Sequence, residues 1–563
     1  QKESTITISG TVLDEFNAPI PGANVFLKDR PGVGTVTNMD GKFTIKGAQM
    51  GDVITLSFLG YEKQEVRIDS RLDRKNKLKP STNTLEETVV VGLGSQRKVS
   101  VVGAITNVDV KDLQTPATSI PNMLGGRVPG IISLQNSGEP GKNISNFWIR
   151  GISTFGASSG ALVLIDGIEG RLEDIDPDDV KSFSILKDAS ATSIYGSRGA
   201  NGVILITTKR GKQGKTTVTY DGYVGFQHVA KKLDMMNATE WAEMVNEGAE
   251  TDGRPIYYSN TSSDPLYPAM SQLGEGTDWQ DQIFRTAPIH SHNVSVNGGS
   301  ENTKFAVVAS YFGQEGVVKN QDFNRVSLRN NIDTKISKVV DLSTSLTISR
   351  VFANTGRENG DGGGNTSIIN ASLVMPPTVP IYDPTTGEYV RLNYLPGSST
   401  VPNPVPYVKH LQDKGTIDRI LASADLTFHI IDGLTLKVSG GADMSNASRE
   451  VYEPKETYRG YNANGIAEQQ SRRSSSYSNE NVLTYIKKIG QHSLNVMVGS
   501  SLLYEENKTG SMTARDFISD VYGYNNLDAG AQWDKPNTGR SKSTLLSGFG
   551  RINYVLMDKY LFT

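Results

Sequence analysis

Apolar and polar residues alternate along much of the chain from about Lys215 onward. Successive side chains of a β-strand point to opposite faces of the sheet, so such alternation predicts strands with one apolar and one polar face. One face of each strand therefore requires lipid or a protein core, and the other face requires water. The clearest runs have apolar residues at Val326, Leu328, Ile332, Leu342, Leu346, Ile348, Leu426, Phe428, Ile430, Leu434, Leu436 and Val438.

The predicted strands are joined alternately by short turns and by long segments. Barrels of outer membranes have short periplasmic turns and longer extracellular loops, whereas a soluble sandwich has no such requirement. The alternation therefore predicts a transmembrane antiparallel β-barrel over residues 215–563. Short turns are predicted at 297–302, 432–433, 489–490 and 557–558, long segments at 228–289, 352–415, 447–472 and 507–541, and a connection of middling length at 313–322.

This barrel region supplies roughly ten complete strands and the start of an eleventh, and it ends in the middle of a predicted hairpin. An open sheet edge in lipid leaves backbone groups unpaired at a cost of several kcal/mol each. We therefore expect the sequence to be the N-terminal part of a longer protein that carries the first half of the barrel.

The region before the barrel divides into three segments. Residues 1–68 contain short β-forming runs separated by turn residues such as those at 17–19 and 40–41, which predicts a β-sandwich. Residues 69–94 begin with a charged and polar run that cannot bury enough surface to fold, so they are interpreted as a linker. Residues 95–211 are rich in glycine and predict a separate α+β domain.

Within that α+β domain, the run Asp176-Pro177-Asp178-Asp179 has the signature of a helix start. An aspartate stands at the capping position, proline follows in the first turn, and the acids lie at the positive end of the helix dipole. A calcium cluster is the alternative, but the spacing does not match an EF-hand loop. Ordinary capping is therefore the preferred interpretation.

Composition and charge exclude several classes of function. The 57 basic and 60 acidic residues leave no positive excess, so no nucleic acid is expected as a partner. The absence of cysteine excludes disulfides, thiolate nucleophiles and a lipid-bearing cysteine. No stretch approaches the roughly 18 to 20 apolar residues of a membrane-spanning helix. No charged-then-apolar leader follows Gln1, so we expect membrane contact through a barrel and an export signal already removed.

No constellation for catalysis, cofactor binding or metal binding stands out. His290 and His292 share one face of a predicted strand, but no carboxylate follows at the spacing of a zinc protease, which favours exposed histidines at a strand end. Residues 359–365 are rich in glycine but lack the lysine and Ser/Thr of a phosphate-binding loop, and are interpreted as a mobile loop. We therefore predict no catalytic residues, cofactor or metal, and an enzyme is the least favoured class.

Five runs, in this order, resemble the SusC/RagA family of TonB-dependent receptors, which import nutrients across the outer membranes of Bacteroidetes. The resemblance covers essentially the whole chain. Residues 1–68 resemble the carboxypeptidase-regulatory-like domain, a transthyretin-type sandwich often found before the plug, and supply no zinc triad. The five runs are 85–92 (LEETVVVG), 122–131 (NMLGGRVPGI), 148–151 (WIRG), 163–167 (VLIDG) and 186–204 (LKDASATSIYGSRGANGVI).

The resemblance implies a mainly β protein with a transthyretin-like sandwich (1–68), a linker with a TonB box (69–94), an α+β plug (95–211) and the first half of a 22-stranded barrel (215–563). A short extended segment on a flexible tether can add as a strand to the sheet edge of a partner. The resemblance implies that this partner is TonB of the inner-membrane TonB-ExbB-ExbD complex. Without the resemblance, a run of five residues that favour β-structure is also explained by an ordinary strand. The box comprises Glu87, Thr88, Val89, Val90 and Val91.

The same resemblance implies a SusD-like surface lipoprotein as a lid over the barrel. It implies oligosaccharide cargo, with oligopeptide as the alternative, and a barrel in outer-membrane lipid with the N-terminal domain and the box in the periplasm. A non-transporting adhesin or sensor is the competing hypothesis. The sensor version is weakened because residues 1–68 resemble the regulatory-like sandwich instead of a signalling domain.

Two dipeptides in the plug motifs are candidates for a mechanistic role, Arg150-Gly151 and Asp166-Gly167. One interpretation pairs Arg150 with acidic groups on the barrel wall, from which it is released when the plug is pulled. The other is turn chemistry within the plug, because aspartate and glycine suit turn geometry. The second interpretation is preferred.

Aromatic side chains in the plug and in the long segments are candidates for substrate contact, because their rings cover the apolar faces of sugars well. Packing within large loops, or an interfacial aromatic belt, is the alternative for most of them. We expect two or three to bind substrate. The candidates are Trp148, Trp241, Trp279, Tyr389 and Trp533, with Tyr257, Tyr258, Tyr394, Tyr407 and Tyr461 as further aromatics of the long segments.

Overall fold

The computed structural model shows a mainly β protein of two compact units, Gln1–Thr88 and Val89–Thr563. The structure describes residues 6–14, 17–28, 30–58, 61, 63–68, 73–78, 88–91, 94–97, 105–109, 120–143, 145–152, 159–265, 267–356, 367–391, 401–557 and 560–562.

The first unit is a sandwich of two sheets, as its short strands and turns predict. Its strands are β1 (Ile6–Leu13), β2 (Asn24–Leu27), β3 (Arg30–Val36), β4 (Lys42–Ala48), β5 (Val53–Ser57), β6 (Gln64–Arg67) and β7 (Asp73–Lys77). One sheet has the order β4-β1-β7 and the other β3-β2-β5-β6. Alternate residues of β1 and β4, among them Ile8, Val12, Phe43 and Ile45, face a shared apolar core.

The linker predicted over residues 69–94 contains a strand of this sandwich. β7 pairs in parallel with β1 from Ser9↔Asp73 to Leu13↔Lys77. Leu78, directly after β7, is 1% exposed in the core. The linker prediction was wrong here because main-chain pairing with β1 overrides the poor strand propensity of a charged run.

The second unit opens with the plug, which has a core of its own. Its elements are β8 (Thr88–Val91), β9 (Gly94–Arg97), β10 (Ile105–Asp109), α1 (Ile120–Leu124), β11 (Ile131–Leu134), β12 (Asn146–Ile149), β13 (Leu162–Ile165), β14 (Ile168–Glu169), β15 (Val180–Leu186), α2 (Ala189–Thr192) and β16 (Val203–Thr208). β8 pairs with β9, β11 pairs with β12, and the main sheet has the order β10-β15-β16-β13-β14. Ile204 and Ile206 of β16 pack on one face of that sheet, and Val203 and Leu205 pack on the other.

The remainder of the second unit consists of long strands and the helices of their connections. These elements are β17 (Gly214–Gln227), α3 (Ala238–Thr251), β18 (Ser263–Asp264), β19 (Tyr267–Pro268), α4 (Trp279–Ile283), β20 (Ala287–Gly299), β21 (Thr303–Glu315), β22 (Asp322–Lys335), β23 (Val340–Asn354), α5 (Ile368–Val374), α6 (Val405–His410), β24 (Gln412–Ile431), β25 (Leu434–Glu453), α7 (Tyr458–Asn462), β26 (Ile466–Ile489), β27 (His492–Phe517), β28 (Gly530–Trp533), β29 (Asn537–Leu556) and β30 (Tyr560–Phe562).

One large sheet joins most of these strands. Its order, within the described residues, is β17-β20-β21-β22-β23-β24-β25-β26-β27-β29-β30, and β28 pairs with β27 beside this path. Each strand on the path is antiparallel to the next, and residues 432–433 and 490–491 form short turns. The predicted alternation of connections is confirmed, because residues 228–286 and 355–411 form long connections at the opposite end. The connections 454–465 and 518–536 are shorter than the predicted segments 447–472 and 507–541, because the flanking strands extend further at that end.

The two faces of the large sheet differ as the sequence alternation predicts. On β22, Val326 and Leu328 are each 48% exposed, whereas Arg325 and Arg329 are 4% and 2% exposed. On β22 the polar face is covered by the plug, so these arginine side chains are buried against protein and not against water.

The long connections fold into a packed layer. Helix α3 begins with a capping box, in which the Asn237 side chain accepts from Glu240 N and the Glu240 side chain accepts from Asn237 N. Ala238 and Ala242 of α3 pack with Trp279 of α4 in an apolar cluster. No helix within the described ranges is long and apolar enough to cross a membrane.

Candidate functional site

A tight turn in the plug presents the first of several carboxylates to the large sheet. Ile165 of β13 pairs with Ile168 of β14, and Asp166 and Gly167 between them have φ values of 48° and 91°. A two-residue hairpin turn with both φ values positive favours aspartate followed by glycine. The Asp166 carboxylate accepts from Thr208 N at 3.1 Å and Thr208 Oγ1 at 2.5 Å. This turn therefore holds the carboxylate in a fixed orientation.

Replacing Gly167 by valine is expected to destabilise the protein by about 1–3 kcal/mol, because a β-branched residue is strained at this positive φ. The measurement is the thermal unfolding midpoint of the purified full-length protein. Gly138→Val is the control, because a Cβ at Gly138 meets no atom within 4 Å and its φ lies outside the left-handed region. Equal losses of stability in both variants would contradict the turn argument.

The plug carboxylates meet arginines on the buried face of β22. Arg325 Nη2 lies 2.8 Å from Asp176 Oδ2, and both side chains are about 5–6% exposed. Arg329 Nε lies 3.2 Å from Asp179 Oδ2 and Arg329 Nη1 lies 3.6 Å from Asp166 Oδ2. Arg329 and Asp179 are each 2% exposed in this pair. Two barrel cations are thus matched to three plug anions in a region shielded from water.

The turn that carries Asp176 and Asp179 folds as the capping signature predicts. Pro177–Asp179 form one 3-10 turn, and the Asp176 side chain accepts from Asp178 N at 3.0 Å. The prediction of a capping role for Asp176 is confirmed. Because their side chains pair with Arg325 and Arg329, these aspartates act as arginine ligands in the structure, in place of the calcium cluster considered as the alternative.

Burial controls the electrostatics of this turn. Burial raises the pKa of Asp179 to about 6, and the charge of Arg329 opposes that rise. Burial also raises the pKa of Asp178, with a further contribution from the neighbouring charge of Asp176. The positive charge of Arg329 therefore favours the ionised form of Asp179 against the effect of burial.

Further polar contacts join the end of the plug to β22. Asn331 Nδ2 donates to Thr208 Oγ1 at 3.0 Å and to Lys209 O at 2.7 Å. Arg210 Nη1 lies 2.8 Å from Asp333 Oδ1. The contacts between plug and sheet at this strand are thus largely ionic or hydrogen-bonded.

A separate contact anchors the plug near the opposite end of β22. The Glu139 carboxylate is 1% exposed on its side chain, lies 3.2 Å from Lys142 Nζ, and accepts from Gly356 N at 2.8 Å. Gly356 follows β23 and begins a long connection. This contact ties the plug to the base of the loop layer.

Arg150 is placed differently from the hypothesis that paired it with the barrel wall. Its backbone N donates to Gly130 O at 2.8 Å, and it has a φ of 60°. Its Nη1 atom lies 2.6 Å from Asp188 Oδ1, inside the plug. That hypothesis was wrong for this conformation, because the left-handed backbone and Asp188 turn the guanidinium along the plug surface.

Four residues of the segment proposed as a TonB box form a β-strand. Thr88–Val91 form β8, which pairs with Gly94–Arg97 of β9. Glu87 lies outside the described residues. A two-stranded hairpin alone is only marginally stable in water, so β8 can exchange its partner at low cost.

Three of the five aromatic candidates lie together in the loop layer. Trp279 is 3% exposed, and its Nε1 donates to Pro376 O at 3.0 Å. Trp241 and Tyr389 are partly buried against the same apolar cluster. Trp279 therefore supports the layer and has no free face for a substrate, whereas Trp241 and Tyr389 keep partly accessible rings.

The other two aromatic candidates are apart from this cluster. Trp148 belongs to plug strand β12, and its Nε1 donates to Ser159 Oγ at 2.9 Å. Trp533 on β28 is 62% exposed. Tyr394 and the glycine-rich run 359–365 lie outside the described residues.

Comparisons with known proteins agree with this architecture. Residues 8–90 match the CarboxypepD_reg-like domain, and residues 97–203 match the TonB-dependent Receptor Plug Domain. The chain is 32% identical over 563 residues to TonB-dependent receptor P3 of Formosa agariphila, covering 99% of this chain and 54% of that protein. It is 31% identical over 606 residues to TonB-dependent receptor SusC of Bacteroides thetaiotaomicron, covering 99% of this chain and 56% of that protein.

Solved structures show the same fold. The RagAB peptide importer in its open-open state superimposes with a TM-score of 0.70 at 26% identity, over 84% of this chain and 55% of that one. The chain spans about half the length of the curated relatives that it matches.

Proposed function

The chain belongs to the SusC/RagA family of TonB-dependent transporters, and from this premise we propose that the protein actively imports oligomeric nutrients across the outer membrane. The observation that carries the proposal is the polar contact between plug and barrel. The plug keeps its own apolar core and is held to β22 through Arg325 and Arg329. Such a plug can move without exposing that core.

We propose that energy enters through residues 87–91. The β8 strand leaves β9 and adds to the sheet edge of periplasmic TonB, because main-chain hydrogen bonds supply the affinity of such strand addition. The N-terminal unit and the box accordingly lie in the periplasm, and the long connections face outside.

Force on the box then acts on the plug's contacts with β22. The pairs of Arg329 with Asp179 and Asp166 must separate before the plug can move. In a low-dielectric interface these pairs hold the resting state strongly, and water that enters during displacement weakens them. The pairs thus keep the path closed until force is applied.

The proposed cargo is an oligosaccharide, and a SusD-like surface lipoprotein acts as the lid. Of the five aromatic candidates, Trp241, Tyr389, Trp148 and Trp533 keep accessible surface that could cover a sugar ring, which supports this proposal. Oligopeptide is the second candidate, because the RagAB neighbour is a peptide importer and matches this chain at a TM-score of 0.70.

The test is uptake of radiolabelled oligosaccharides and oligopeptides by cells with and without the full-length gene. Import is expected to require the gene and to stop when an uncoupler dissipates the proton gradient, because the energy comes from the inner membrane. The class of labelled compound that enters identifies the cargo. Unchanged uptake of every compound in the deletion strain would favour the adhesin or sensor hypothesis and refute import.

A further inference from the structure

A row of mainly basic side chains crosses six neighbouring strands of the large sheet at one level. Each member is the direct register partner of the next from β23 to β29. We call this set the outer basic row, and it consists of Arg350, Asp418, Asn446, Arg473, Lys508 and Arg540.

The outer basic row lies on the face of the sheet that points away from the plug. Arg350 and Asp418 side chains are 55% and 43% exposed, whereas their strand neighbour Arg419 is 7% exposed on the inner face. Directly partnered residues of antiparallel strands share a face, so the whole row points outward. In a barrel, that outward face contacts lipid.

Part of the row forms the upper rim of a groove of about 730 Å³ on this outer face. The rim carries Arg350, Asp418, Asn446 and Arg473. The floor is apolar. Its side chains lie either at the level of the row or two residues along each strand toward the short turns. The floor consists of Val326, Leu328, Ile348, Ile420 and Met444. A groove with an apolar floor and a cationic rim matches the two halves of an anionic lipid.

The row and the step below it carry more positive than negative charge. Arg350 makes a two-point ion pair with Asp418, at 2.5 and 2.7 Å. Glu506, one step below, accepts from Arg540 at 2.6 Å and lies 3.3 Å from Lys508 Nζ. Arg473 has no ion pair with any residue that the structure describes. Its guanidinium is therefore available to an external anion.

The level of the row corresponds to a membrane interface. The row continues through Val326 to Tyr311, and tyrosine rings are enriched at lipid–water boundaries. From Asp418 on β24 the outward positions run through Ile420, Ala422, Ala424, Leu426 and Phe428 to Ile430, and all six that follow Asp418 are apolar. At about 3.3 Å per residue and a tilt of about 40°, this stretch spans an apolar band about 25–30 Å tall. The row lies at the end of that band nearest the long connections.

We propose that the groove and the outer basic row bind a phosphorylated lipid of the leaflet on the side of the long connections. The acyl chains lie on Leu328, Ile348, Ile420 and Met444, and a phosphate binds Arg473. Basic side chains at a membrane surface attract anionic headgroups, and cationic pockets select phosphates. This site is separate from the import path and does not depend on the identity of the cargo.

The test measures binding of fluorescent bisphosphorylated lipid A, in detergent micelles, to the purified full-length protein. Arg473→Gln is expected to weaken binding about tenfold, which corresponds to about 1.4 kcal/mol. Lys487→Gln is the matched control, because Lys487 lies on the same strand and the same face, but near the short turn. Its affinity is expected to equal that of the unmodified protein.

Two further measurements separate lipid from free anion. The same lipid without phosphates is expected to bind more weakly than lipid A, and inorganic phosphate is expected not to displace lipid A. Unchanged affinity in Arg473→Gln, an equal loss in Lys487→Gln, or full displacement by inorganic phosphate would each overturn the proposal.

Discussion

Replacing Val89 or Val90 by proline is expected to abolish uptake in at least one of the two variants, while the protein remains in the outer membrane. Proline removes a backbone donor, and successive N–H groups of a strand point to opposite edges, so one substitution must interrupt the edge that pairs with TonB. A strand of four residues, β8, has few bonds to lose. The measurement is the initial rate of uptake of the labelled cargo, normalised to protein in purified outer membranes.

Val90→Thr is the control for this pair of variants. Threonine keeps the backbone donor and the β-branched shape that favours strands, so uptake is expected to remain near that of the unmodified protein. A variant that lacks residues 87–91 gives the rate of uptake in the absence of coupling to TonB. Uptake that survives both prolines and the deletion would show that these residues form an ordinary strand and that energy enters elsewhere.

The architecture of the large sheet was predictable because lipid on one face and polar surroundings on the other impose a period of two. Val326 and Leu328 are exposed, and Arg325 and Arg329 are buried, as alternation requires. What alternation does not reveal is what covers the polar face. The prediction was water, whereas at β22 the cover is the plug.

The plug–barrel ion pairs could not be found from sequence for the same reason. Asp166 and Arg329 are far apart in the chain. Which strand of the large sheet faces which turn of the plug depends on how the whole plug packs against that sheet. The available signal was two arginines, Arg325 and Arg329, among the serine and asparagine of one polar face. Two arginines on one face of a strand require acidic partners if that face is buried. The plug motifs drew attention to Asp166, which pairs with Arg329, and to Arg150, whose partner Asp188 is local.

Replacing Arg329 by methionine is expected to remove about 3–5 kcal/mol from the free energy that holds the plug in the barrel. Deleting one partner of a buried ion pair leaves an uncompensated charge, here on the Asp179 side chain, which is 2% exposed. The measurement is the urea concentration at which full-length protein in a planar bilayer becomes conductive. The variant is expected to open at a lower concentration than the unmodified protein.

Two further variants decide what that result means. Arg329→Met with Asp179→Asn removes both charges of the pair and is expected to recover more than half of the loss, as a coupled pair requires. Arg150→Met breaks a half-exposed pair within the plug, at 54% and 32% side-chain exposure, and is expected to change plug docking by less than about 1 kcal/mol. If Arg150→Met opened the barrel and Arg329→Met did not, the contact that holds the plug would be the one that the sequence motif suggested. Since Arg329 is the cation shared by Asp166 and Asp179, we expect the opposite order.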